Sequence, residues 1–207
     1  MNITAVVFDY GGVISFLPPP EKIHDLEHLT GLSAGILRDL NRKYRGEWDR
    51  GSCSGKEYYH RILAVEGIFP DDETLLRIAE TDMQGWVHID PETIRLMKDI
   101  KAAGFRLGIL SNMPFDFLDW VRENIPVYNT LDAAVFSSEE AIIKPEPGIY
   151  EALRERLNCT FQEIVFFDDL MDNVTKAREL GISGFHWDGP EEARKILKGL
   201  GGGFTVL

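Results

Sequence analysis

The 207-residue chain is poor in several things, and each shortage excludes a class of protein. It has two cysteines, Cys53 and Cys159, far apart and in no metal-binding or redox spacing. That excludes a cysteine-spaced metal or redox motif; a single disulfide stays open, and two reduced thiols are the expectation. Long apolar runs are missing. No stretch approaches the roughly 18 residues of a membrane span, and the apolar run at the start is short, without a basic region before it. Positive charge is also scarce. Twenty-two Lys and Arg stand against 34 Asp and Glu, a net charge of −12. That disfavours nucleic acid and anionic lipid as partners. An anionic small molecule stays possible, because a metal ion can reverse the local charge. A soluble, cytoplasmic protein is expected, with no nucleic-acid or membrane partner.

What is present is organised around residues 3–14, Ile-Thr-Ala-Val-Val-Phe-Asp-Tyr-Gly-Gly-Val-Ile. A continuous β-branched, apolar run ended by one carboxylate and two glycines reads as a strand buried on both faces. Asp9 then stands at the carboxyl end of that strand, the edge where open α/β sheets bind ligands.

Three prolines, Pro18 to Pro20, end this segment. Residues 21–85 read as helices throughout, with apolar faces formed by Ile23, Leu26 and Leu29; by Leu37, Leu40 and Tyr44; by Tyr58, Tyr59, Ile62, Leu63 and Val65; and by Leu75, Leu76, Ile78 and Ala79. From Asp90 the texture alternates. Helices are expected at 91–103, 115–124, 147–157, 173–180 and 190–200, and strands at 105–110, 133–136, 164–167 and 182–187, with a possible edge strand at 204–207. The fold class is α/β: a doubly wound parallel sheet, a Rossmann-like core, carrying an inserted helical-bundle cap. The core comprises residues 1–15 and 89–207 and the cap 16–88, with the first strand central in the sheet.

The polar residues gather where these strands stop. Strand one ends in Asp9 and strand two in Ser111-Asn112. Lys144 follows strand three, and strand four ends in Asp168-Asp169 with Asn173 beyond. Parallel strands bring all of these to one edge. Carboxylates held together repel unless a cation lies among them. Mg²⁺ suits such oxygen ligands, and a lysine with a hydroxyl suits a phosphate dianion. No histidine or cysteine is expected among the strand ends, which leaves a carboxylate as the nucleophile. His24, His28, His60, His88 and His186 read as solvated or structural. Tyr44, Trp48, Arg50, Tyr58 and Tyr59 read either as cap core or as a lid surface over a substrate.

Four short motifs in order carry a resemblance over essentially the whole chain: Val6-Val7-Phe8-Asp9-Tyr10-Gly11-Gly12-Val13, Leu110-Ser111-Asn112, Lys144-Pro145, and Phe166-Phe167-Asp168-Asp169 with Asn173. The chain resembles the haloacid dehalogenase superfamily, in the subfamily with a helical cap after the first strand. The resemblance implies a Mg²⁺-dependent phosphatase acting on a small phosphorylated metabolite, such as a sugar phosphate, through an aspartyl-phosphate. It implies Asp9 as nucleophile; Asp9, Asp169 and the Gly11 carbonyl as metal ligands; and Asp168 and Asn173 as support for the metal and its waters. It further implies that Ser111 and the Asn112 amide bind the phosphoryl group, and that Lys144 neutralises charge on Asp9 and the phosphate. Residue 11 departs from the pattern. Most phosphatases of the superfamily have an aspartate there as general acid and base, whereas glycine moves no proton. This chain is similar in that respect to a branch that includes bacterial sugar-phosphate phosphatases. Two rival readings share the same parts: a 2-haloacid dehalogenase, and a ligand-binding or phospho-accepting relative without turnover.

Overall fold

The structure is a computed structural model that describes residues 2–201 and 203–204. Five parallel strands form one sheet in the order β3-β2-β1-β4-β5. They are β1 (Ala5–Phe8), β2 (Arg106–Ser111), β3 (Ala133–Phe136), β4 (Ile164–Asp168) and β5 (Ser183–His186). The first strand is central as expected. Phe8 is in register with Ile109 on one side and Phe167 on the other.

Alternation along β1 builds two cores. Val6 and Phe8 join Leu107, Ile109 and Phe167 on one face. Helices α5 (Pro91–Ala102), α6 (Phe115–Asn124) and α10 (Pro190–Leu200) cover that side through Leu96, Val121 and Leu197. Ala5 and Val7 turn to the other face, which α8 (Pro147–Leu157) and α9 (Met171–Glu179) cover through Tyr150, Leu153 and Ala177. Asp90 starts α5 by accepting from the Glu92 amide at 2.9 Å, with Pro91 at the first helical position.

Between β1 and α5 lie α1 (Pro20–Thr30), α2 (Ala34–Asp49), α3 (Gly55–Val65) and α4 (Asp72–Gln84), which share a third core. Trp48, Tyr58 and Tyr59 lie at its centre, nearly inaccessible to solvent. Ser54 and Glu57 form a capping box at the start of α3. Ile23, Val65 and Leu76 do not join this core and face solvent, so the buried stripe is narrower than the apolar pattern suggested. The insert leaves and re-enters the sheet side by side. The Phe16 amide donates to the His88 carbonyl at 2.8 Å and the Asp90 amide to the Ile14 carbonyl at 2.9 Å.

β3 is followed directly by a short helix, α7 (Ser137–Glu140), opened by Ser137 and Ser138. Phe204 lies in a 3₁₀ turn stacked on Phe105, with ring centroids 3.8 Å apart, and not in an edge strand. The rest of that expected strand, 205–207, lies outside the described residues.

Candidate active site

The carboxyl ends of β1, β2 and β4 bring Asp9, Ser111 and Asp168 together; loops add Gly11, Asn112, Asp169 and, beyond β3, Lys144, and the first turn of α9 adds Asn173. Lys144 holds the centre. Its ammonium lies 2.8 Å from Asp9 Oδ1 and 2.6 Å from Asp168 Oδ2, and donates to the Leu110 carbonyl at 2.9 Å. The Asn112 side chain fixes the Lys144 backbone in both directions: its Nδ2 donates to the Lys144 carbonyl at 3.0 Å, and its Oδ1 accepts from the Lys144 amide at 2.7 Å.

Asp168 is fully committed within the protein. Besides Lys144, it accepts from the Leu170 amide at 2.8 Å and from Asn173 Nδ2 at 3.0 Å. Asn173 is held in turn by Tyr150, whose hydroxyl donates to the Asn173 carbonyl at 3.0 Å. Asp168 and Asn173 thus act on Lys144 before they act on anything in the cavity.

Asp9, Asp168 and Asp169 present carboxylate oxygens within 4.8 Å of one another. With one ammonium among them, this group carries two excess negative charges when ionised. Burial pushes the Asp9 carboxyl up to about 7; Lys144 pulls the other way, and Asp168 and Asp169 add to the rise. Burial and Asp168 also raise the Asp169 carboxyl. A hard cation removes this penalty, and an all-oxygen donor set fits Mg²⁺. Gly12 makes room for the arrangement. It has a φ of +71°, and a Cβ there would stand 2.7 Å from Asp169 Oδ2.

Above the centre opens a cavity of about 490 Å³. The sequence reading missed most of its lining. Leu17, Trp86, Met113, Pro114, Phe117 and Leu170 form apolar walls, and Arg38, Asn41, Arg42, Arg45 and Asp49 come down from α2. These α2 residues recur every three or four positions, so helical spacing could have shown a shared face but not that it covers the strand ends. Trp86 explains Gly11. A Cβ on Gly11 would meet the Trp86 ring at 3.2 Å, so the indole lies where a side chain at this position would begin.

Three expectations change at this level. The cation among the cap aromatics is Arg45, 4.3 Å from the Trp48 ring centroid, and not Arg50, which pairs with Glu146 on the core. Trp48, Tyr58 and Tyr59 are cap core and do not line the cavity. A histidine does stand at a strand end: His186 ends β5 in register with Asp168, its Nδ1 3.0 Å from Asp188 Oδ1. The sequence hid it because β5 ends one residue before Trp187.

The parallel sheet places an acidic centre at its carboxyl edge, the edge at which open α/β sheets bind their ligands. A family model described as haloacid dehalogenase-like hydrolase matches residues 3–181. The chain belongs to that family and is a hydrolase. It is similar to the sesquiterpene phosphatase astK of Aspergillus oryzae, 25% identical over 88% of each chain. It is also similar to phosphatase MT3486 of Mycobacterium tuberculosis, 26% identical over 94% of this chain and 91% of that one. Among solved structures, the HAD family enzyme bt-2542 of Bacteroides thetaiotaomicron superposes with a TM-score of 0.73 at 21% identity, covering 95% of this chain and 98% of that one. Among the described residues no helix is long and apolar enough to cross a membrane.

Proposed function

We propose that the protein is a Mg²⁺-dependent phosphatase that hydrolyses a small phosphomonoester through an aspartyl-phosphate on Asp9. The observation that carries this reading is the buried Asp9–Lys144–Asp168 row beside Asp169, a carboxylate-rich centre completed by a cation and open to one cavity. Similarity to two phosphatases along nearly the whole chain supports it.

Asp9, Asp169 and the Gly11 carbonyl would hold the ion, which when bound neutralises the carboxylates and the phosphate oxygens. Lys144, fixed by Asp168 and Asn112, offsets part of the cost of ionising Asp9, the bound ion would offset the rest, and Lys144 holds Asp9 in place for attack on phosphorus. Ser111 and the Asn112 amide hold the transferring group. The P–O ester bond breaks as the Asp9–phosphorus bond forms, and the alkoxide takes its proton from water. A second water then cleaves the aspartyl-phosphate to release phosphate. Glycine at position 11 supplies no proton to the leaving group, which costs on the order of 10²–10⁴ in rate for poor leaving groups. Residues 16–88 serve as a cap over a core of 1–15 and 89–207, and the two free cysteines suit a reducing, cytoplasmic setting.

The test is hydrolysis of phenyl phosphate with and without Mg²⁺ by the parent protein and by Asp9→Asn. Turnover that needs the metal and is lost in the variant supports the reading. Metal-independent release of chloride from 2-chloropropionate, with no phosphate release from the ester, would assign the site to dehalogenation instead.

A further inference from the structure

We propose that the substrate presents an apolar body, alkyl or aryl, to this cavity, and that the enzyme selects such phosphates over phosphorylated sugars and acids. The inference rests on the phosphatase reading and adds the substrate class.

A sugar buried in a cavity brings several hydroxyls, and each needs a partner or costs free energy. The polar groups above the acidic centre are largely taken. Asn41 Oδ1 accepts from the Tyr58 hydroxyl. Arg45 donates to Asp49 at 2.9 Å and to Asp82 at 2.6 Å, which occupies its guanidinium within the protein and leaves the trio one net negative charge when ionised. The remaining walls are hydrocarbon and indole. Leu17 and Leu170 face this space while 62% and 57% exposed, with Trp86 and Phe117 behind them. An apolar ligand covers that surface with favourable transfer free energy, whereas a sugar gains nothing from it. Arg38 and Arg42 are exposed at the rim, where long stems lie along apolar groups while their heads stay in water. The cavity volume is in the usual range for a small-molecule site.

A series of 4-alkylphenyl phosphates, from methyl to hexyl, isolates this effect, because the leaving group keeps nearly the same acidity along it. We expect kcat/KM with Mg²⁺ to rise roughly fourfold per methylene, the contribution of a fully buried methylene, until the cavity fills. We expect 4-propylphenyl phosphate to exceed 4-(2-carboxyethyl)phenyl phosphate at least tenfold, and Leu17→Asn, a change at an exposed loop position, to flatten the slope. A flat series on an enzyme that turns over phenyl phosphate overturns the proposal. So does preference for the carboxylate, which would make Arg38 and Arg42 a second anion site, and so does a slope untouched by Leu17→Asn. Failure to hydrolyse phenyl phosphate itself is a separate result, because it removes the phosphatase reading on which the proposal stands.

Discussion

Placing aspartate at position 11 tests how Trp86 shapes the site. An ideal Cβ on Gly11 would stand 3.2 Å from Trp86 Cζ3, 3.5 Å from Cε3 and 3.8 Å from Cη2. A methyl group alone needs the ring to yield by a few tenths of an ångström, and a carboxyl group reaches further into it. Movement of the indole has a cost: the backbone at Trp86 is tied by the Tyr10 hydroxyl, which donates to the Trp86 carbonyl at 2.7 Å, and the ring Nε1 donates to Asp82 Oδ1 at 3.4 Å. Overpacking of this kind costs about 1–3 kcal/mol, and a chain of this size loses about 2–4 °C in Tm per kcal/mol. Gly11→Asp alone should therefore lower Tm by about 2–12 °C and bring no gain in rate on an alkyl phosphate. Trp86→Ala opens the space. In the double variant the new carboxyl can stand beside the leaving oxygen, and kcat on an alkyl phosphate should exceed that of Trp86→Ala by about 10²-fold, the low end for a positioned acid. With 4-nitrophenyl phosphate, whose leaving group needs no proton, the two should be equal. Urea unfolding of the four proteins should give a coupling of about 0.5–3 kcal/mol between the sites. The reasoning fails if Gly11→Asp by itself is as stable as the parent and faster, or if the double variant gains nothing on the alkyl ester.

Lys144→Met should cost about 3–5 kcal/mol in urea unfolding, because it leaves two buried carboxylates without their ammonium; adding Asp168→Asn should restore part of the loss, and no recovery would count against an electrostatic cause. Mg²⁺ at about 100 times its Kd should stabilise the protein by about 2.7 kcal/mol, read as a rise in Tm that Asp169→Asn largely abolishes; a Tm indifferent to Mg²⁺ would remove the metal from the site. The Asp9 carboxyl, raised from 3.8 to about 7 in the folded protein, makes the metal-free fold lose stability as pH rises between those values, since the folded form keeps a proton that the unfolded chain has released. The stability of the parent minus that of Asp9→Asn, measured in EDTA from pH 4.5 to 7.5, should therefore fall with pH, and a rising difference would reverse the assigned shift.

Most of the sheet and the acidic centre could be read from the chain because both are local in sequence. The three inner strands β1, β2 and β4 are mostly apolar runs, and Asp9, Ser111 and Asp168 are the groups that stop them, so these three follow from where hydrophobicity ends. The cavity was not legible in the same way. Leu17, Trp86, Phe117 and Leu170 come from four separate segments, and only tertiary packing brings them together. The cap showed the same limit within one helix. Arg45 and Arg50 both lie near Trp48 in sequence, but Arg45 turns to Asp82 while Arg50 reaches the core at Glu146. Leu76 and Val65 extend apolar periodicity that the bundle had no neighbour to bury.

The pairing of 14–16 with 88–90 has a consequence for how such a chain can be rebuilt. Ser15 and Ile89 form an antiparallel bridge, so the insert begins and ends at the mouth of what would otherwise be a hairpin. Closing a flexible loop grows costlier only with the logarithm of its length, about 0.6 kcal/mol per doubling. A four-helix segment and a short turn can therefore occupy the same junction without shifting a strand of the sheet. The junction is a splice point: the four-helix segment can be exchanged as a cassette, while the carboxylates of the acidic centre stay where β1 and β4 put them.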